Sequence, residues 1–132
     1  MKRWAIKQIF AYIAMLAFTG SATSLFYFHK RGYLIGYSTG ERLYQEKNFN
    51  AAIPYLMRAI EQGVDTRKAY FHLADSLTAI KQFDEAARVY NAYLEKDPND
   101  KSARIRLARV LAYQGELAES TEQYQRALKE KK

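Results

Sequence analysis

The chain has 132 residues and a formal net charge of +7 at pH 7. This length allows one modest domain, and the absence of cysteine excludes disulfide bonds, thiol catalysis and cysteine metal sites. Five of the 21 basic residues and none of the 14 acidic residues lie in residues 1–32, so the remaining hundred residues are nearly neutral. Because the excess charge flanks one apolar segment, it favours contact with a membrane over contact with nucleic acid.

The apolar segment Ile9–Phe28 contains no charged residue over 20 positions. As a helix it would rise about 30 Å, which is enough to cross the core of a bilayer. We therefore predict a transmembrane anchor within residues 1–32. The positive-inside rule slightly favours a cytoplasmic amino terminus. In a Gram-negative bacterium, the anchor would then lie in the inner membrane and the folded part in the periplasm. The basic residues that flank the segment are Lys2, Arg3, Lys7, Lys30 and Arg31.

A cleaved signal peptide is the alternative interpretation of this segment. Residues 1–8 would form its basic region and residues 9–18 its apolar core, with the small residues Gly20, Ser21 and Ala22 at the cleavage site. However, the apolar run continues past that site to Phe28, so a mature chain would begin with exposed apolar residues. The anchor is therefore favoured over a secreted soluble domain.

Residues 67–100 read as one complete helix–turn–helix unit. Apolar and small residues recur at spacings of three and four in two runs, as in amphipathic helices. Asp84 is predicted to be the N-cap of the second helix, and Asp97-Pro98 is predicted to end it. The unit resembles the tetratricopeptide repeat, a motif of about 34 residues. The residues that match its signature are Tyr70, Leu73, Ala74, Leu77, Phe83, Ala86, Tyr90 and Pro98.

Two further units lie one repeat length away on either side. We divide the chain into an anchor at residues 1–32 and a tetratricopeptide domain at 33–132, with repeats at 33–66, 67–100 and 101–132. In the last repeat, Gly115 is predicted to cap the first helix. The resemblance implies an all-α fold, an α-solenoid of three stacked repeats. The apolar segment adds one transmembrane helix before it. No helix follows the sixth in the sequence, so we expect an apolar edge open to a partner or to a second copy of the chain.

In tetratricopeptide proteins, the first helix of each repeat lines a concave groove that holds a partner. The resemblance implies that this groove has aromatic and charged residues of both signs, which suits an extended or helical peptide with apolar anchors. Gln45, Thr78, Ala79, Ser102 and Ala112 also occupy groove positions. The ten residues predicted to contact the partner are Leu34, Tyr37, Glu41, Tyr44, Lys68, Phe71, Asp75, Ile105, Arg109 and Tyr113.

One subfamily grips a peptide's terminal carboxylate with a clamp of lysine and asparagine. Here Tyr37, Glu41 and His72 occupy clamp positions, so a cochaperone of that kind is not expected. No phosphate loop, metal-ligand cluster or nucleophile–base pair is found in the sequence. We therefore expect no catalytic residue, metal or cofactor, and no enzymatic activity.

The densest basic cluster consists of Lys101, Arg104, Arg106 and Arg109. It could bind an acidic partner segment or a phosphate group. The favoured interpretation is a solvated face balanced by Asp97 and Asp100.

The leading functional hypothesis is a membrane-anchored adaptor that holds another protein in a multi-subunit membrane or cell-envelope complex. The alternative is a structural accessory subunit that docks through its transmembrane helix. The third, less favoured, is the secreted soluble repeat domain.

Overall fold

The structure is a computed structural model that describes residues 36–129. The proposed anchor and its basic flanks lie outside the described residues, as does Leu34. Within the described part every regular element is a helix, and no helix there is long and apolar enough to cross a bilayer.

Six helices follow one another along the described chain. The described part of α1 covers residues 36–45. The others are α2 (Phe49–Glu61), α3 (Arg67–Ala79), α4 (Phe83–Lys96), α5 (Lys101–Gln114) and α6 (Leu117–Lys129). From α2 onwards each helix packs against the next one, which is the contact pattern of a stacked solenoid.

Local signals explain where the helices begin and end. The side chains of Thr66 and Asp100 accept hydrogen bonds from the backbone N–H groups of the third residues of α3 and α5, at 3.2 and 3.0 Å. Gly115, at φ = 86°, ends α5 in the left-handed conformation, as predicted. The prediction for Asp84 was wrong, because α4 already begins at Phe83 and its N-cap position is Gln82. Asp84 instead accepts a hydrogen bond from the Gln114 side chain at 2.5 Å.

Small residues one repeat apart allow the two helices of a repeat to approach closely. Gly40, Ala74 and Ala108 occupy equivalent positions in α1, α3 and α5, and all three are buried. A Cβ atom on Gly40 would lie only 3.0 Å from the Cγ atom of Leu56 in α2. The first repeat therefore requires glycine where the next two accept alanine.

The core runs through all three repeats and is rich in aromatic residues. Tyr90 is its largest fully buried side chain. The Phe71 ring meets the rings of Tyr90 and Tyr93 edge to face, with centroids 5.7 and 5.5 Å apart. This geometry is the preferred one for aromatic pairs. Phe71 is buried in this core, and the 7% of its surface that stays exposed can contribute to a surface site.

Candidate functional site

Two adjoining pockets form a groove along the first helices of the three repeats. We call the smaller one, of about 310 Å³, the arginine pocket. We call the larger one, of about 400 Å³, the histidine pocket. Arg67, Phe71 and Arg106 border both pockets, so the two form one continuous surface. The arginine pocket is completed by Ser102, Ile105 and Arg109, and the histidine pocket by Tyr44, Lys68, His72 and Asp75.

Asp75 is the centre of a polar cluster in this groove. Nη1 of Arg106 donates to both of its carboxylate oxygens, at 2.8 and 2.6 Å. The Tyr90 hydroxyl donates to Oδ1 at 2.5 Å, and the Tyr44 hydroxyl donates to Oδ2 at 3.3 Å. One carboxylate in α3 therefore ties together α1, α4 and α5, since the donors come from all three helices.

Two guanidinium groups lie against the Phe71 ring. The Cζ atoms of Arg67 and Arg106 lie 4.4 and 5.0 Å from the centre of its ring, within the range of cation–π attraction. Arg67 is also held by Asp100, which accepts from Nε at 2.5 Å. The groove thus has an aromatic floor in contact with two ion-paired arginines.

The histidine pocket combines ring stacking with an unsatisfied nitrogen. The rings of Tyr44 and His72 are nearly parallel, with centroids 3.9 Å apart. Burial lowers the pKa of His72 below its ordinary value. Its buried Nδ1 atom makes no hydrogen bond within the described part of the chain. Lys68, which also lines this pocket, forms an ion pair with Glu41.

The buried tyrosines of this region keep their hydroxyl protons. Burial, together with the hydrogen bond to Asp75, raises the pKa of Tyr90 far above its ordinary value. Burial and the hydrogen bond to Asp100 raise the pKa of Tyr93 to about 12. Both hydroxyls therefore keep their protons at any physiological pH and continue to donate to their carboxylates.

The structure brings six of the ten residues predicted to contact the partner to the two pockets, together with Ser102, another predicted groove position. Tyr37 and Glu41 lie close to Lys68, beside the histidine pocket. Tyr113 lies outside both pockets; it is 57% exposed and its ring packs on Phe83 at 5.5 Å. Leu34 is outside the described residues. The six predicted partner contacts that line the pockets are Tyr44, Lys68, Phe71, Asp75, Ile105 and Arg109.

Sequence reasoning left three of the lining residues out of the predicted groove: Arg67, His72 and Arg106. The sequence favours a solvated basic face for Arg106, balanced by Asp97 and Asp100, whereas in the structure its carboxylate partner is Asp75. The signal that could have identified both arginines is an acid about one repeat away in sequence. Arg67 pairs with Asp100 over 33 residues, and Arg106 pairs with Asp75 over 31.

Neither a metal-binding cluster nor a docking site at the edge formed by α6 is shown in residues 36–129. No three His, Asp or Glu side chains there are arranged to hold a metal ion. On α6, Leu117 and Leu128 are exposed by 66% and 76%. Association of a second copy at this edge stays a prediction.

Comparison with solved structures supports the assignment of the fold. The MamA structure "MamA AMB-1 C2221" aligns with a TM-score of 0.71 at 20% identity, over 75% of this chain and 58% of that one. YrrB, titled "a TPR protein with an unusual peptide-binding site", aligns with a TM-score of 0.68 at 26% identity, over 73% of this chain and 50% of that one. The Yersinia enterocolitica type III secretion translocator chaperone SycD aligns with a TM-score of 0.66 at 20% identity, over 74% of this chain and 73% of that one.

The chain therefore spans between half and three-fifths of the length of the MamA and YrrB structures. No curated protein sequence matches it. The sequence profile described as "Tetratricopeptide repeat" matches residues 37–101 and 81–132, which together cover most of the chain. With the stacked helix pairs described above, this match shows that the chain belongs to the tetratricopeptide repeat family.

Proposed function

We propose that this protein is a non-enzymatic adaptor, anchored in a membrane, that holds a peptide segment of a partner protein in the groove formed by α1, α3 and α5. The observation that carries the proposal is the paired pocket around Phe71. An aromatic floor flanked by arginines is the kind of surface on which binding energy concentrates in protein interfaces.

The groove is prepared for a ligand because three of its charged side chains are already ion-paired. Arg106 is held by Asp75, Arg67 by Asp100, and Lys68 by Glu41. A partner would therefore bind with a smaller entropic cost of ordering these long side chains. The likeness to YrrB, whose title names a peptide-binding site, supports the same conclusion.

The membrane part of the proposal rests on the sequence. A 20-residue uncharged stretch at Ile9–Phe28, with basic residues on both sides, is typical of a transmembrane helix. The anchor would confine the groove to the membrane surface and raise the local concentration of a membrane-bound partner. We place the anchor in a bacterial inner membrane, with the repeats in the periplasm.

The direct test is affinity purification of the full-length protein in mild detergent from membranes of its source organism. Ser102 is exposed and lines the arginine pocket, so Ser102→Trp should fill that pocket while leaving the core untouched. The matched control is Ala92→Trp, because Ala92 is exposed on α4 and lines neither pocket. We expect a stoichiometric partner that is lost with Ser102→Trp and kept with Ala92→Trp.

Deleting residues 1–32 tests the anchor separately. We expect the shortened chain to leave the membrane fraction, whereas the full chain resists extraction at high salt. An intact mass that lacks the first 22 residues would instead indicate signal-peptide cleavage. If the shortened chain loses the partner while Ser102→Trp keeps it, the protein docks through its helix, and the groove hypothesis is wrong.

A further inference from the structure

The arginine pocket has an unusual composition for a surface pocket. Three guanidinium groups and one hydroxyl line it, together with the apolar side chains of Phe71 and Ile105. No carboxylate is among its lining residues, whereas the histidine pocket contains Asp75. The two halves of the groove therefore offer different chemistry to a bound chain.

The three arginines are not equivalent. The charges of Arg67 and Arg106 are compensated by Asp100 and Asp75. Arg109 is exposed, and no hydrogen bond or ion pair joins it to another residue in the described range 36–129. Arg109 is consequently the uncompensated cation of the pocket, and its guanidinium can receive a carboxylate through two parallel hydrogen bonds.

The apolar part of the pocket lies beside this cation. Phe71 and Ile105 both border the pocket, and Ile105 is half-buried, so a ligand that contacts Arg109 can also cover apolar surface. A free inorganic anion would leave that surface exposed to water. A peptide that carries an acidic residue next to an apolar residue would satisfy both features at once.

We propose that the arginine pocket selects partner segments in which an internal Asp or Glu side chain, bound by Arg109, lies next to an apolar side chain that packs on Phe71 and Ile105. This inference rests on the proposed peptide-binding function and adds the chemistry of the segment that is bound. Because the groove continues into the histidine pocket, the neighbouring residues of the segment lie against Tyr44 and His72.

The test is selection from a library of random decapeptides, acetylated and amidated so that neither terminus carries a charge. The target is the full-length protein in lipid nanodiscs. We expect the selected peptides to be enriched in Asp or Glu next to an aliphatic or aromatic residue. Replacing that acid with its amide should weaken binding about tenfold.

Two matched arginine substitutions locate the effect. Arg109→Gln should weaken the binding of the acidic peptides about tenfold. The acid and amide forms of a peptide should then bind with the same affinity. Arg88→Gln removes the same charge from α4, outside both pockets, and should leave the affinity unchanged. Far-UV circular dichroism of both variants checks that the helical fold is retained.

The remaining outcomes separate this inference from the function on which it rests. If peptides bind in a way that Ser102→Trp abolishes, but show no acidic preference or respond equally to Arg109→Gln and Arg88→Gln, the inference is overturned and the groove function stands. If the library yields no binder sensitive to Ser102→Trp, both the groove function and the inference are contradicted.

Discussion

Asp75 in α3 and Arg106 in α5 form an ion pair of 2.6 Å across the boundary between the second and third repeats. The same carboxylate accepts a hydrogen bond from the hydroxyl of Tyr90, a fully buried residue of α4. This pair therefore links the surface of the groove to the core. It also fixes the position of Arg106 at the border of both pockets, so the stability of the solenoid and the shape of the site depend on the same carboxylate.

Asp75→Ala should destabilise the protein by about 2 kcal/mol, because it leaves the Tyr90 hydroxyl and the Arg106 guanidinium without their acceptor. Chemical denaturation followed by far-UV circular dichroism measures the change. Glu85→Ala is the control. It removes an exposed carboxylate that pairs with the exposed Arg88, and it should lower the free energy of unfolding by less than about 0.5 kcal/mol. Equal effects of the two substitutions would show that the Asp75 cluster adds nothing to stability.

Gly40→Ala should destabilise the protein by about 1–3 kcal/mol, because the new methyl group would meet Leu56 in α2 at 3.0 Å. Gly36→Ala changes the same helix four residues earlier, where a Cβ atom would have nothing within 4 Å. There the better helix propensity of alanine should stabilise the protein by about 0.5–1 kcal/mol. Thermal unfolding of the two variants should shift in opposite directions; a shift in the same direction would contradict the close approach of α1 and α2.

The ionised carboxylate of Asp100 should make the free energy of unfolding decrease at acidic pH. Burial alone would raise its pKa, but hydrogen bonds from Arg67, the Ala103 backbone N–H and Tyr93 outweigh burial and hold the pKa below its ordinary value. Its contribution is therefore complete above the unfolded pKa of about 3.9 and is lost as the pH falls through the lower folded value.

Asp100→Asn separates the charge from the cap, since asparagine also caps helices well. We expect the variant to be less stable than the wild type by about 1 kcal/mol at pH 7, with the difference shrinking below about pH 4. Denaturation at a series of pH values measures this. The control is Asp97→Asn in the same loop, where Asp97 is exposed. A difference from wild type that does not change with pH would mean that the Asp100 charge is not stabilising.

His72 should contribute a second pH dependence at higher pH. Burial lowers its folded pKa, so below about pH 6.5 the unfolded chain binds the proton more readily than the folded one. Stability is therefore lost as the pH falls from about 6.5 to the folded pKa, with a slope of at most about 1.4 kcal/mol per pH unit. His72→Phe keeps a ring against Tyr44 and removes the titration, so its stability should be flatter between pH 7 and pH 5. An unchanged slope would rule out His72 as the source.

The helical architecture could be predicted because its causes are local in sequence. The three-and-four spacing of apolar residues and the glycine at Gly115 each act within a few residues. Phe71 and Asp75 could be assigned to the groove because repeat position decides which face a side chain occupies. The roles of Arg67 and Arg106 could not, since their acidic partners are about one repeat away and meet them only after the repeats stack. For Tyr113, repeat position predicts a place in the groove, but in the structure its ring packs against the Phe83 ring instead.

The measurement that tests the account most directly is site-specific photocrosslinking of the full-length protein in its native membranes. A photoreactive phenylalanine would replace Tyr44 in the groove or, as a control, Tyr55, which is exposed on α2 and lines neither pocket. The account predicts one partner protein crosslinked from position 44, absent from position 55, and lost when Ser102→Trp is added. A partner crosslinked from position 55 and not from position 44 would contradict it.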